Sequence, residues 1–377
     1  MKDKLVTGMN VRSAAAWVAA VVFSLPPVKH AMAAGGERWL HIAILSFLLS
    51  YASVPVVRAL ALRLGAMDQP QARKVHKDAT PLLGGVAVFL GFSASLLYNG
   101  IFSPPFLAIL GAAALLLVVG VIDDVRGVSA TAKLLVQIAA TAGVMWYGVV
   151  LHVLPDDTGL WGKIMNIGLT LFWVVGITNA MNFFDGMDGL ASGLGALMSF
   201  FLGLVAFQTD HAFFGWIALA MMGGCMGFWP YNFRFKKSAL IFLGDAGSTF
   251  IGFVLACLAV YGEWSDNPVV ALVSPLLIFW LLIFDMVHIS VDRVATGKVH
   301  SVKEWLDYVG KDHLHHRMAT ILGGPRKSVL FIYLMEMCLG ISALALRDAM
   351  PLVAALLLVQ AAIIVIMTTI LERSGRK

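Results

Sequence analysis

Long runs of apolar residues, separated by short polar stretches, dominate the chain from Trp39 onward. Eleven runs have or approach the ~20 residues that a helix needs to cross a bilayer. They occupy residues 39–62, 82–98, 104–122, 131–151, 164–181, 188–207, 212–230, 246–261, 268–290, 328–346 and 350–371. Glycine and proline interrupt several runs, which packed membrane helices tolerate. The pattern predicts an all-α polytopic membrane protein with about 11 transmembrane helices joined by loops.

The first 38 residues fit two interpretations. Basic residues precede an apolar run from Ala14 to Leu25, and a proline pair and small residues follow it. This order is that of a cleaved signal peptide, and it is equally that of a short extra helix broken by the prolines. We therefore divide the chain into an N-terminal segment (1–38), an integral membrane domain (39–371) and a basic tail (372–377).

Composition supports the membrane class. Of the 377 residues, 59% are hydrophobic and 13% are charged, whereas soluble domains carry about a quarter charged residues. The three cysteines, Cys225, Cys257 and Cys338, lie inside apolar runs and have neither the spacing of a metal site nor that of a disulfide framework. Candidate chemistry must therefore come from the polar clusters between the runs.

Lysine and arginine are concentrated in alternate loops. The opposite set of loops contains Arg347, with Lys163 at a boundary. Because loops rich in lysine and arginine face the cytoplasm, we predict a cytoplasmic C-terminus. The unusual polar clusters then all lie on the cytoplasmic side.

The first cluster is a basic loop that contains Lys77 and leads into Thr80-Pro81 and Gly84-Gly85. Its charges suit a lipid head group or a nucleotide phosphate, although a solvated loop explains any single lysine.

The second cluster, Asp123-Asp124, ends an apolar run. Negative charge at a helix C-terminus opposes the macrodipole, so we expect compensation by a cation such as Mg²⁺, or solvation with Arg126 as partner.

The third cluster contains Asn179, Asn182, Asp185 and Asp188 directly after an apolar run. Two aspartates three residues apart share a face of a helical turn, and the glycines beside them permit close backbone approach. Burying such groups is unfavourable unless they have partners or line a wet cavity. A polar turn explains one Asp-Gly pair but explains two pairs poorly, so we interpret this stretch as part of a site.

The fourth cluster places Asp245 at the start of an apolar run, between Phe242 and Ser248. Capping of the following helix is the ordinary role for such an aspartate. The flanking glycines also fit a loop that presents Asp245 to a metal ion held by phosphate oxygens. Phe242 suits stacking on a base, or anchoring at the membrane interface.

The fifth cluster is the long loop 291–327, which follows Asp285 and His288 inside the ninth run. These two residues are unfavourable there unless they face the site. The loop contains the histidine–arginine motif, His313, His315, His316 and Arg317. Its spacing does not match a zinc site, and anion binding, with Arg317 on a pyrophosphate, fits better.

Together, the five clusters predict a metal-assisted phosphoryl-transfer site that serves a soluble nucleotide-linked donor and a lipid-borne acceptor. A transporter or flippase is the alternative from another class, but its ionisable residues should lie near the membrane midplane on broken helices. A purely structural membrane scaffold gives no reason for acidic and histidine motifs on one face.

The clusters, in this order, resemble the polyprenyl-phosphate N-acetylhexosamine-1-phosphate transferases, and the resemblance extends from about residue 68 to residue 317. The histidine–arginine motif is similar to that of the branch that uses N-acetylglucosamine 1-phosphate, and the histidine motif of the phospho-MurNAc-pentapeptide translocases is absent. Residues 299–312 depart from the branch in length and acidity, so another UDP-N-acetyl sugar, or UDP-MurNAc-pentapeptide, stays an alternative donor.

The resemblance implies transfer of the sugar 1-phosphate from a UDP-N-acetylhexosamine to undecaprenyl phosphate, with release of UMP and with Mg²⁺ or Mn²⁺ as cofactor. It implies that Asp245 and Asp124 hold the metal and that Asp123 binds or deprotonates the lipid phosphate. It also leaves open a covalent aspartate intermediate. The substrate-binding residues it implies are Lys77, Asn182, Asp185, Asp188, Phe242, His313, His315, His316 and Arg317.

The resemblance further implies a multi-pass protein of the bacterial cytoplasmic (inner) membrane whose active site faces the cytoplasm. Its expected partners are the two substrates and membrane lipids, without nucleic acid, and a homodimer is what the family suggests. The lipid-diphospho-sugar product would begin the synthesis of a cell-surface polysaccharide.

Overall fold

The computed structural model of the chain describes residues 11–69, 79–155, 158–262, 264–265, 267–301, 304–305, 308, 310, 312–346 and 350–374. Within these residues the chain forms fifteen helices and a short antiparallel ribbon. The helices are α1 (Val11–Phe23), α2 (Pro26–Ala34), α3 (Arg38–Leu64), α4 (Gly84–Tyr98), α5 (Pro104–Arg126), α6 (Ala130–Trp146), α7 (Gly159–Phe183), α8 (Leu190–Gln208), α9 (Ala212–Asn232), α10 (Gly244–Tyr261), α11 (Pro268–Ile278), α12 (Trp280–Ala295), α13 (Leu314–Leu322), α14 (Pro325–Leu344) and α15 (Pro351–Ser374). The strands are β1 (Met67–Asp68) and β2 (Thr80–Pro81).

Each of the eleven predicted apolar runs is helical. In the described part of the chain, eight helices are long and apolar enough to cross a membrane, and these are α3, α5, α7, α8, α9, α10, α14 and α15. Helices α4 and α6 are shorter, with 15 and 17 residues. The ninth run is a pair of helices, α11 and α12, bent by 73°. If each bent pair counts as one membrane span, the described residues contain up to 10 spans. The prediction of an all-α polytopic membrane protein is confirmed.

The N-terminal segment forms the other bent pair, α1 and α2, with an angle of 66° at the break that precedes the proline pair. Tyr98 Oη donates to the carbonyl of Ser24 at 2.6 Å, and Lys29 Nζ donates to the carbonyl of Tyr98 at 2.7 Å. The pair is therefore attached to the end of α4. Cleavage of this segment, and the boundaries of the three predicted parts of the chain, stay predictions.

Helices α8, α9 and α10 form the interior of the bundle, because most of their residues are buried, whereas α15 exposes most of its surface. Serine hydroxyls join α9 to α3: Ser46 Oγ donates to the carbonyl of Ala220 at 2.6 Å, and Ser50 Oγ donates to the carbonyl of Gly224 at 2.8 Å. Small polar residues of this kind allow close helix packing in membranes.

A backbone hydrogen-bond network fixes the start of α10. The Phe242 N–H donates to the carbonyl of Pro81 in β2 at 2.8 Å, and the Gly84 N–H donates to the carbonyl of Phe242 at 2.9 Å. The Gly85 N–H donates to the carbonyl of Leu243 at 2.8 Å. Two predicted clusters, the Thr80-Pro81 loop and the residues before Asp245, are thereby held side by side.

Candidate active site

The ends of α5, α6 and α10 meet at Lys133, which bridges two of the predicted carboxylates. Lys133 Nζ lies 2.7 Å from Asp123 Oδ2 and 2.8 Å from Asp245 Oδ2. Hydrogen bonds with an ionised donor and acceptor are shorter and stronger than neutral ones. Asp245 is the more accessible carboxylate, with 35% of its side chain exposed against 12% for Asp123.

Asp124 binds the N-terminus of α10. Its Oδ1 accepts from the Asp245 N–H at 3.0 Å and its Oδ2 from the Ala246 N–H at 3.4 Å. A Cβ at Gly244, whose φ is +77°, would lie 2.4 Å from Asp124 Oδ2, so this close approach requires glycine. The positive end of the α10 dipole and Lys133 thus offset the negative charge that ends α5.

Asn182, at the end of α7, joins the same cluster. Its Nδ2 donates to Asp245 Oδ1 at 3.2 Å and to Ser248 Oγ at 2.9 Å. One turn earlier, Asn179 Nδ2 donates to Gln137 Oε1 at 2.6 Å, which joins α7 to α6. The amides of the third cluster therefore orient Asp245 and hold its neighbouring helices.

The two aspartates of the third cluster have different surroundings. Burial raises the pKa of Asp185 well above its ordinary value, and the nearby charges of Asp245 and Asp124 raise it further. Asp188 instead accepts from the Ala239 N–H at 3.0 Å. Asp185 therefore belongs to the carboxylate cluster, whereas Asp188 holds the loop that leads to α10.

Asn232, which the sequence analysis did not single out, holds the same loop. Asn232 Oδ1 accepts from the Gly189 N–H at 2.7 Å, and Asn232 Nδ2 donates to the carbonyl of Ile241 at 3.0 Å. Because Asn232 is buried, both bonds are shielded from water. The stretch between Asp185 and Leu190 and the stretch before Asp245 are therefore fixed relative to each other.

The histidine–arginine motif contacts the end of α7. The ring of His313 stacks on Phe183 with centroids 5.1 Å apart, and that of His315 lies 5.7 Å from Phe184. A Cβ at Gly186 would lie 2.5 Å from His315 Nε2, so glycine allows the contact. Burial lowers the pKa of His315 well below its ordinary value. His315 is therefore neutral and enclosed, beside the carboxylate cluster.

The rest of the motif is held by α12. His313 Nδ1 lies 2.8 Å from Asp285 Oδ2, and Arg317 Nη1 lies 3.0 Å from His288 Nδ1. The ring centroid of His316 is 4.2 Å from that of His315. Asp285 and His288, which the sequence marked as unfavourable inside an apolar run unless they face the site, thus contact the histidine–arginine motif.

The predicted metal, Mg²⁺ or Mn²⁺, stays a prediction. Among the residues that the structure describes, no group of three or more His, Cys, Asp or Glu side chains is arranged to hold a metal ion. The donor chemistry fits a hard cation, which prefers carboxylate oxygens. Asp123 and Asp245 share one cation, Lys133, and Asp124 lies beside them against the N–H groups that begin α10. Two carboxylates on a single lysine leave an excess of negative charge, which a bound divalent cation would offset.

The structure brings most of the predicted residues to one end of the bundle. Phe242 is half-buried beside β2, and Lys77 lies outside the described residues. Lys133 and Gln137 were missed as site residues by the sequence prediction. Their signal was visible, because they are a charged and an amide side chain one turn apart on a helix whose other residues are apolar or threonine.

Comparison with known proteins places the chain among transferases. The family model described as Glycosyl transferase family 4 matches residues 106–263. A probable undecaprenyl-phosphate N-acetylglucosaminyl 1-phosphate transferase of Bacillus subtilis (strain 168) is 33% identical over 324 residues, covering 83% of this chain and 87% of the relative. A decaprenyl-phosphate N-acetylglucosaminephosphotransferase of Mycobacterium tuberculosis (strain ATCC 25618 / H37Rv) is 36% identical over 326 residues, covering 78% of each chain.

A more distant relative, the undecaprenyl-phosphate alpha-N-acetylglucosaminyl 1-phosphate transferase of Yersinia pestis, is 29% identical over 279 residues. The match covers 72% of this chain and 74% of the relative. The apolar helices and these bacterial relatives agree on a multi-pass membrane enzyme. The chain belongs to glycosyl transferase family 4, in the branch that contains the polyprenyl-phosphate N-acetylglucosaminyl 1-phosphate transferases.

Proposed function

We propose that the protein transfers N-acetylglucosamine 1-phosphate from UDP-N-acetylglucosamine to undecaprenyl phosphate and releases UMP. The product would be the lipid-diphospho-sugar that begins a cell-surface polysaccharide. The observation that carries the proposal is the convergence of Asp123, Asp124 and Asp245 on Lys133 and the α10 N-terminus. Membership of the family and the names of the relatives support the lipid phosphate acceptor.

Chemically, an oxygen of the lipid phosphate attacks the β-phosphorus of the UDP-sugar in line, and the bond to the UMP oxygen breaks. Asp123 is proposed to receive the lipid phosphate and to take up its proton where it arrives protonated. Lys133, already between Asp123 and Asp245, would counter the charge of the phosphates. Asn182 would keep Asp245 in orientation through its 3.2 Å hydrogen bond.

Asp124 and Asp245 are the residues that would hold Mg²⁺ or Mn²⁺, which supplies charge neutralisation on the diphosphate when bound. An ionised carboxylate has about four acceptor sites, so Asp124 retains capacity beyond its two backbone bonds. His316 and Arg317 would bind the phosphates or the sugar. Asp185, Phe242 and Lys77 stay proposals for the nucleotide.

We also propose that this end of the bundle faces the cytoplasm of the bacterial inner membrane, as the loop charges predict, and that the C-terminus lies on the same side. A homodimer stays a prediction. A flippase is the alternative function, and the hydrogen bonds of Asp285 and His288 with the histidine–arginine motif support the transferase instead.

The test is an assay with the purified full-length chain, undecaprenyl phosphate and radiolabelled UDP-N-acetylglucosamine. We expect UMP release that requires Mg²⁺ or Mn²⁺, and UDP-N-acetylgalactosamine in parallel identifies the sugar. Asp245→Asn should abolish transfer while the protein stays folded, and Asp292→Asn, at a half-exposed aspartate of α12, should retain it. Activity without a divalent cation, or substantial activity of Asp245→Asn, would overturn the proposed metal role.

A further inference from the structure

Helix α12 contacts the segment from Asp312 to Arg317, which contains the histidine–arginine motif, through three side chains that no part of the proposed reaction uses. They are Asp285, His288 and Arg293. Arg293 binds Asp312 at the start of the segment, and Asp285 and His288 bind His313 and Arg317. The segment from Asp312 to Arg317 is therefore bound at both ends.

Asp285 caps α13 from another helix. Its Oδ1 accepts from the Leu314 N–H at 2.7 Å, at the first residue of α13, while its Oδ2 contacts His313. His313, which precedes α13, forms no side-chain cap of its own. Negative charge at a helix N-terminus is favourable. Asp285 has no exposed surface, and a buried carboxylate is stable only when its oxygens have such partners.

These contacts also assign the protons on two histidines. Since the Asp285 carboxylate accepts, His313 Nδ1 carries the hydrogen of the 2.8 Å bond. A guanidinium only donates, so His288 accepts at Nδ1 from Arg317. Arg317 Nη2 also lies 3.6 Å from Asp285 Oδ1. Helix α12 therefore sets the orientation of His313 and of the guanidinium of Arg317.

Arg293 holds the other end of the segment. Its Nε and Nη2 donate to the two oxygens of Asp312 at 2.8 and 2.9 Å. The guanidinium also lies over the ring of Tyr308, 4.4 Å from its centroid. Arg293 is buried, with 2% of its surface exposed. A bidentate pair of this kind fixes geometry as well as charge.

We infer that Asp285 is a positioning residue for the transfer reaction. By binding His313 and the first turn of α13, it presents His316 and Arg317 to the diphosphate of the donor, and Arg293 anchors the preceding chain. This inference rests on the proposed function, in which those two residues bind the donor. It assigns no contact between Asp285 and either substrate.

The test is Asp285→Asn in the full-length enzyme. The amide keeps the shape and can still accept from Leu314, but its NH₂ group opposes the hydrogen on His313 Nδ1. A misplaced donor-binding segment should raise the donor KM, and we expect donor kcat/KM to fall about 10–100-fold, with the acceptor KM unchanged. Asp292→Asn is the matched control, because Asp292 lies on the same helix but has 46% of its side chain exposed and pairs with Lys298.

A merely structural role gives a different result: less folded enzyme, with both KM values unchanged per folded molecule. That outcome overturns the inference, as does an Asp285→Asn enzyme that matches Asp292→Asn. If Asp285→Asn does not fold, Arg293→Lys decides in its place, since lysine keeps the charge but loses the bidentate fork. We then expect a donor KM raised about 3–10-fold, and an unchanged donor KM overturns the inference.

A double-mutant cycle with Arg317→Ala tests the route of the effect. If Asp285 acts through the motif, adding Asp285→Asn to Arg317→Ala should cost little further activity. Losses that multiply overturn the inference. Failure of the proposed function is distinguishable, because the wild-type enzyme would then release no UMP from UDP-N-acetylglucosamine.

Discussion

Close approach of α5 to α10 at Gly120 is what places Asp245 beside Asp124. A Cβ added at Gly120 would lie 2.3 Å from Ala246 Cα and 2.5 Å from Ala246 N. Ordinary van der Waals contact begins at 3.4 Å, so Gly120→Ala requires the two helices to separate by about 1.1 Å. Both atoms are backbone, so no side-chain rotation relieves the clash.

The magnitude follows from that distance. Overpacking of this size costs about 1–3 kcal/mol of stability, against a gain of about 0.5–1 kcal/mol from replacing glycine inside a helix. A separation of 1.1 Å would also stretch the 3.0 Å bond between Asp124 and the Asp245 N–H beyond hydrogen-bond range. Since a misplacement of about 1 Å can cost 10²-fold in rate, we expect kcat to fall by about that factor.

The assay is UMP release together with thermal unfolding of the purified variant. Gly111→Ala is the matched control, because it is the same substitution on the same helix and a Cβ there meets nothing within 4 Å. We expect Gly111→Ala to be fully active and no less stable than wild type. If Gly120→Ala keeps wild-type kcat and unfolds at the temperature of Gly111→Ala, the reasoning about α5 and α10 is wrong.

Two further predictions concern charge. Lys133→Gln leaves Asp123 and Asp245 without the cation between them, and the loss of its charged hydrogen bonds should lower kcat/KM by about 10–100-fold. The measurement is steady-state kinetics, with Lys298→Gln, at an exposed lysine, as the control. Equal kcat/KM values for the two variants would contradict the prediction. The pKa of His315 is lowered in the folded state. The stability that neutral His315 contributes to the fold is therefore fully present above its unfolded pKa of about 6.5 and is lost as pH falls. Wild type should therefore lose more stability on acidification than His315→Gln, and unfolding curves with equal pH slopes would refute this.

Much of the fold could be predicted from the sequence. Hydrophobic runs report burial or lipid contact locally, so each of the eleven segments is helical. The bend at Phe279 was not predicted, although Pro275, one turn earlier in α11, is a residue type that commonly kinks helices. The alternation of loop charges predicted an orientation, which the proposed function retains.

The candidate site was predictable as a set of motifs but not as a geometry. Asp123-Asp124 and Asp245 stood out because carboxylates at the ends of apolar runs need partners. The partners lie far along the chain: Asp124 caps a helix that begins 120 residues later, and Lys133 joins Asp123 to Asp245. Such pairings depend on which helices pack together, and the local periodicity of the sequence does not predict which helices those are.

By itself, the sequence determined the class of protein, the location of its helices and the residues with chemistry to offer, because hydrophobicity and charge act locally. Only the tertiary structure decided that Asp285 holds the histidine–arginine motif, that Arg293 holds Asp312 before it, and that Asp188 holds a loop. A buried polar group must find its partner wherever packing allows. The partner is therefore a property of the assembled bundle and cannot be read from either residue alone.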